Sequence, residues 1–179
     1  RGPDGGGRVG GARLRAPGGA GLVFACRDGG ALVEIPARAE NVESTTNATT
    51  LAANGARIGT VEYLLAALRS LGVDNVRIEV DGPEIPVMDG SAASFVHLIQ
   101  CAGVNDQHEP QAVIQIERKI EIDDGKSSIS IEPARHLQIS YGIDFTHPMI
   151  GIQELSIERL IAGTFELELA RARTFGGLG

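Results

Sequence analysis

Gly59-Thr-Val-Glu-Tyr-Leu-Leu-Ala-Ala-Leu-Arg-Ser-Leu-Gly72, continued by Val73-Asp-Asn-Val-Arg-Ile-Glu-Val-Asp-Gly-Pro83, switches once from helical to strand periodicity. Val61, Leu64, Leu65, Leu68 and Leu71 recur at the i, i+3, i+4, i+7 spacing that puts apolar side chains on one face of a helix, and Gly72 supplies a stop. The spacing predicts a helix over 60–71. On that wheel Glu62 and Tyr63 fall away from the apolar stripe, on a face expected to meet solvent or another domain. Val76, Ile78 and Val80 then alternate with Asn75, Arg77 and Glu79, the period of a strand with one buried face, and Gly82-Pro83 ends it.

Upstream, residues 22–26 and 31–35 are short apolar runs separated by Arg27-Asp-Gly-Gly30, which reads as a hairpin. The first 30 residues hold 11 of the 24 glycines, so the opening dozen are left without assigned structure and order is expected from about Leu14. Downstream, Asp81-Gly-Pro-Glu-Ile-Pro-Val-Met-Asp-Gly-Ser91 chains two prolines, two glycines and three acids into a stiff connector. Ser91, with Asp89, is expected to cap a second helix with Phe95, Leu98, Ile99 and Ala102 on its buried face and Gly103 at its end, with anion binding at that N-terminus as the lesser alternative. Residues 107–111, with Pro110, read as a linker between two halves. Beyond it, residues 113–122, 127–132 and 137–145 alternate with period two, with Asp123-Asp-Gly125 as a turn, and predict an antiparallel meander. Residues 154–173 are open between strand, from Leu155 and Ile157, and helix over 165–173. Strands followed by helices in each half give an α+β class in two layers rather than a parallel βαβ sheet.

Composition narrows the function classes. With 16 Lys+Arg against 23 Asp+Glu the net charge is −7, so no basic field is available for nucleic acid or anionic lipid. No apolar run approaches the ~20 residues of a membrane span, and Arg1-Gly-Pro-Asp-Gly-Gly-Gly-Arg8 lacks the apolar stretch of a secretory signal. The expectation is a cytoplasmic protein that is not integral to a membrane. Cys26 and Cys101 stand far apart without a C-x-x-C pair and read as buried thiols. The chain starts without Met and stops after a helix-like segment, as if cut at both ends.

Chemistry is weakly marked. A single Glu62 specifies no reaction, and His97, His108, His136 and His147 include no i, i+4 pair, so spacing alone builds no metal site. Arg171 and Arg173 fit an anion cradle or a basic helix end equally well.

Taken in order, Ile35-Pro-Ala-Arg-Ala-Glu-Asn-Val42, Gly59-Thr-Val-Glu-Tyr-Leu-Leu-Ala-Ala-Leu68, Gly72-Val-Asp-Asn75, Gly82-Pro-Glu-Ile-Pro-Val-Met-Asp-Gly-Ser-Ala-Ala93, Ile143-Asp-Phe-Thr-His-Pro148 and Ala170-Arg-Ala-Arg-Thr-Phe-Gly176 resemble the signatures of the zinc-dependent UDP-3-O-acyl-N-acetylglucosamine deacetylases of lipid A synthesis. The resemblance covers about residues 14–176. It implies two similar two-layer α+β domains facing each other across the active site, a first over 14–106 and the start of a second over 112–179, incomplete here. It implies hydrolysis of the N-acetyl group of a UDP-linked, 3-O-acylated glucosamine, with Zn2+ polarising the amide and activating water.

The same resemblance makes Glu62 the general base and Thr174 a holder of the oxyanion, and places Phe175 against substrate. Tyr63 occupies the position of the family's zinc histidine. A neutral phenol, with a pKa near ~10, is a poor zinc ligand. The other family ligands, in an H-K-x-x-D motif, are expected in sequence following Gly179, so the 179-residue chain by itself is expected to lack turnover. Other departures are Arg8-Val-Gly-Gly-Ala12 in place of G-V-G-L-H-S-G, Thr45-Thr-Asn-Ala-Thr49 in place of a more apolar segment near the acyl-chain entrance, and Gly177-Leu-Gly179 after the last signature. The alternative is a non-catalytic relative that binds a nucleotide sugar or a protein partner.

Overall fold

The structure, a computed structural model, describes residues 16–28, 31–111 and 113–174. The expected order near Leu14, the 29–30 part of the first turn, Arg8 to Ala12, Phe175 and Gly177 to Gly179 lie outside the described residues.

β1 (Leu22–Asp28) pairs antiparallel with β2 (Ala31–Pro36), as the hairpin reading expects, and parallel with β6 (Val76–Val80), giving the order β2-β1-β6. The central strand is covered on both faces: Phe24 and Cys26 enter the core, and Ala25, fully buried, points the other way. Ala25 lies in register between Glu34 and Glu79, and Arg77 bonds both carboxylates, Glu34 at 2.9 Å. These two contacts, Glu34 first, raise the Arg77 pKa above its usual value.

Three strands that the sequence pattern does not announce follow. β3 (Val42–Ser44), β4 (Thr50–Ala53) and β5 (Ala56–Ile58) form a second antiparallel sheet in the order β3-β4-β5. Their tight turn is Asn54-Gly55, both with positive φ (55° and 81°), the geometry that favours Asn-Gly in two-residue hairpins.

α1 (Glu62–Ser70) and α2 (Ala93–Ala102) pack on each other. One core cluster joins both sheets and both helices: Phe24, Ile35, Leu51, Ile58, Val61, Leu68, Val76, Ile78, Phe95 and Ile99 are all at most 6% exposed. Gly72 and Gly103 end the helices with φ of 72° and 80°. Two side-chain expectations change. In α2, Val96 is buried and Leu98 is 45% exposed, and Ala102 is also outside the core, so the inward stripe is Phe95, Val96 and Ile99. In α1, by contrast, Tyr63 is half-buried beside the core cluster, as a half-exposed tyrosine off the apolar stripe would be. Cys26 is buried, but Cys101 is exposed, contrary to the reading of both as interior thiols.

After residues 103–111, β7 (Ile120–Asp123) pairs with β8 (Ser128–Ile131) around the expected turn, and β9 (Ile139–Asp144) with β10 (Ile152–Ile157). These are two separate hairpins, so the single meander is corrected: β9 takes its partner from downstream, across the turn that contains His147 and Pro148. The ambiguous end resolves into strand β10, a short helix α3 (Ala162–Thr164) and a π-helical turn Phe165–Leu169 closed by the Ala170 N–H on the Phe165 carbonyl at 2.7 Å. Phe165 and Ala170 are buried in the same cluster as Phe24 and Phe95, and Gln100 donates to Glu166 at 3.0 Å. The class is α+β. No helix among the described residues is long and apolar enough to cross a membrane.

Candidate active site

The first turn of α1 is held from below by Thr49. Its N–H donates to Glu62 Oε2 at 3.1 Å, and its carbonyl accepts the Val61 N–H at 3.3 Å. Glu62 is thus half-buried and fixed in direction while keeping one carboxylate oxygen outside this contact. A single backbone donor leaves capacity to accept a further proton or hydrogen bond, which is what a general base requires. Thr49 belongs to the Thr45-Thr-Asn-Ala-Thr49 segment, whose Asn47 turns through φ 63°.

Thr60, immediately before α1, is buried with φ 57°. A β-branched residue in the left-handed region costs on the order of 1–3 kcal/mol and persists only where its surroundings hold it. The holders are on the 82–91 loop. Gly59 N–H donates to the Pro83 carbonyl at 2.9 Å, Ile85 N–H to the Gly59 carbonyl at 3.0 Å, and Thr60 Oγ1 to Glu84 Oε2 at 3.4 Å. Ile85, 3% exposed, pins this end of the loop in the core.

The other end of the loop reaches α2. Asp89 Oδ1 accepts from Ser91 N–H at 3.3 Å, Ser91 Oγ at 2.8 Å and Ser94 Oγ at 3.1 Å, and Ser91 Oγ in turn accepts the Ala93 N–H at 3.2 Å. The cap expected at Ser91 is corrected: the N-cap position falls on Ala92 without a side-chain cap, and Ser91 and Asp89 tie the turn just before it, with Asp89 orienting the fully buried serine. Those hydroxyl and amide donors, the Ser91 hydroxyl first, hold the Asp89 carboxyl below its ordinary range.

Thr174 is docked on this same end. Its N–H donates to the Gly90 carbonyl at 3.0 Å, and its methyl lies 3.5 Å from where a Cβ on Gly90 would stand. Gly90 has φ 77°, so only glycine adopts this backbone without strain. Arg173 meets Asp89 Oδ2 at 3.4 Å, which commits one of the two arginines of the expected anion cradle to an acid of the protein itself. The loop is thus a bridge: it ties the start of α1, with Glu62, at one end and Thr174 at the other. Thr49 and Gly90 were not singled out from sequence, and Asp89 was read only as a helix cap beside Ser91.

The described residues do not fit a zinc centre. Tyr63 offers a phenol, and no group of three His, Cys, Asp or Glu among the described residues is placed to hold a metal. The histidines are engaged locally: His97 with Cys101 at 3.6 Å, His108 with Asp106 at 3.9 Å, His136 with Gln138 at 3.4 Å, and His147 Nδ1 accepting the Met149 N–H at 3.2 Å.

The family model described as LpxC, UDP-3-O-acyl N-acetylglycosamine deacetylase, matches residues 8–178. UDP-3-O-acyl-N-acetylglucosamine deacetylase of Myxococcus xanthus is 49% identical over 163 residues, covering 91% of this chain and 52% of that protein. The proteins of the same name from Saccharophagus degradans and Syntrophotalea carbinolica are 46% and 44% identical, covering 91% and 88% of this chain and 54% and 51% of their own lengths. The chain therefore spans about half the length of the curated relatives it matches. With its signature segments joined through one loop and a family match over nearly all its residues, the chain belongs to the UDP-3-O-acyl N-acetylglycosamine deacetylase family.

Proposed function

We propose that the protein carrying this chain hydrolyses the N-acetyl group of UDP-3-O-acyl-N-acetylglucosamine in lipid A synthesis, in the cytoplasm, and that this chain supplies Glu62 as general base and Thr174 as a donor to the oxyanion. The observation that carries the reading is the bridge just described: the 82–91 loop hydrogen-bonds Gly59, three residues before Glu62, and Thr174, which is more than a hundred residues away in sequence. Two family signatures whose residues would act on one carbonyl are thereby tied to a common frame. A proton leaves water to Glu62 as oxygen adds to the acetyl carbon. The Thr174 hydroxyl donates to the oxygen that becomes negative, the C–N bond breaks, and the proton returns to the amine.

The family's metal is zinc, and the described residues do not form its site, so the two roles given to this chain are ones that need no metal ligand. Phe175, next to Thr174, would contact substrate. A net charge of −7 supplies no attraction for nucleic acid, and the partner in this reading is the nucleotide-linked sugar.

The test is release of acetate and free amine from UDP-3-O-acyl-N-acetylglucosamine by the protein carrying this chain. Glu62→Gln is expected to lower kcat on the order of 10²–10⁴-fold while UDP-sugar binding persists. Saturable UDP-sugar binding with no acetate released by the unmodified protein would overturn the reading in favour of a binding protein.

A further inference from the structure

We propose that Asp89 is the positioning residue for Thr174, with its two carboxylate oxygens dividing the task. Oδ1 locks the turn into α2 through Ser91 and Ser94, and Oδ2 holds Arg173, the residue directly before Thr174. The turn so locked presents the Gly90 carbonyl that receives the Thr174 N–H at 3.0 Å. Thr174 is exposed, and the π-helical turn ends at Leu169, five residues earlier, so helical hydrogen bonds do not place its hydroxyl. Two contacts do: the backbone bond to Gly90 and the ion pair one residue upstream. Both originate in the Asp89-Gly90 pair. The exposed ion pair would contribute little by itself. Here it acts on a segment already anchored by buried Phe165 and Ala170, so that it selects among a few remaining orientations rather than ordering a free chain.

Asp89 touches no reacting atom in this account; it acts through Arg173 and Gly90. The catalytic significance rests on the role of Thr174 proposed above, and the experiment separates the two. Amide hydrogen exchange at Thr174 and Ala93 would be followed in the protein carrying this chain and in its Arg173→Gln, Asp89→Asn and Asp89→Glu variants, with kcat and KM measured alongside. Arg173→Gln is expected to speed Thr174 exchange roughly two- to fivefold, the range of an exposed ion pair, and to leave Ala93 unchanged. Asp89→Asn, which keeps an acceptor for Ser91 and Ser94, is expected to do the same, with Asp89→Glu restoring part of the protection. In the same variants kcat falls and KM does not, because the hydroxyl of Thr174 is the group displaced. Thr174 exchange unchanged by Arg173→Gln and Asp89→Asn overturns the positioning role whatever the kinetics. Faster exchange at Thr174 with kcat unaltered upholds the positioning contact and removes the catalytic role of Thr174.

Discussion

Residues 22–102 and residues 120–157 carry the same kind of apolar alternation and bury it to opposite extents. In the first region Phe24, Ile35, Val76 and Ile78 lie between 0% and 6% exposed, because β1 is flanked by strands on both sides and covered by α1 and α2. In the second, Ile120 and Ile131 face each other across the hairpin, as do Ile122 and Ile129, yet the four are 49–70% exposed. The pairing is equally regular in both. Only the second layer differs. Alternation therefore specifies which face of a strand is apolar, whereas burial is decided by whether another element covers that face. The last segment makes the point from the other side. Phe165 and Ala170 are distant in sequence from the first region, yet they are buried because they join its core.

The comparison is broken most strongly by truncating matched side chains. Phe24→Ala is expected to lower stability by about 3–5 kcal/mol, the range for an aromatic removed from a packed core. Ile129→Ala should cost no more than about 1 kcal/mol, the scale of one cross-strand pair. Chemical denaturation of both variants checks this, and equal losses would show that the hairpin face is covered after all.

Acid gives a smaller and more local contrast. Asp124 accepts the Ser127 and Lys126 amides in the β7–β8 turn, and Asp89 holds the start of α2; both carboxyls sit below their ordinary range, Asp124 chiefly through the Ser127 backbone bond. A depressed folded pKa means that the unfolded chain binds more protons in that window. Each contribution is therefore complete above the ordinary carboxylate pKa of ~3.9 and is lost as pH falls through the lower folded value. Amide exchange at Ser127 and Ala93 should rise in that range while exchange at Phe24 in β1 does not. Simultaneous loss at all three would mean that the two turns are not independent of the core.

Much of the first region was legible. α1, β6, the β1–β2 pair and both glycine stops followed from periodicity and φ requirements. The β3–β5 sheet did not, because its strands are three or four residues long, too short for a period, although Asn54-Gly55 was an available sign of the turn. The exchange of Val96 for Leu98 on the inner face of α2 reflects where neighbouring elements lie, which a helical wheel does not contain. Strand pairing in the second region was half legible: Asp123-Asp-Gly125 marked its turn, but nothing in β9 distinguishes β8 from β10 as a partner. At the site, Glu62 and Thr174 were named through the resemblance, and the geometry that relates them was not legible. It runs through the backbone of Gly59, Pro83, Gly90 and Thr174, and carbonyls and amides leave no trace in residue identity.

The most direct test of the account is a double-mutant cycle on kcat for hydrolysis of UDP-3-O-acyl-N-acetylglucosamine by the protein carrying this chain, using Glu62→Gln, Thr174→Val and both together. If the two residues serve one transition state, the double variant loses much less than the product of the single losses. Single losses that multiply in full, or a Thr174→Val variant as fast as the unmodified protein, would contradict a shared site.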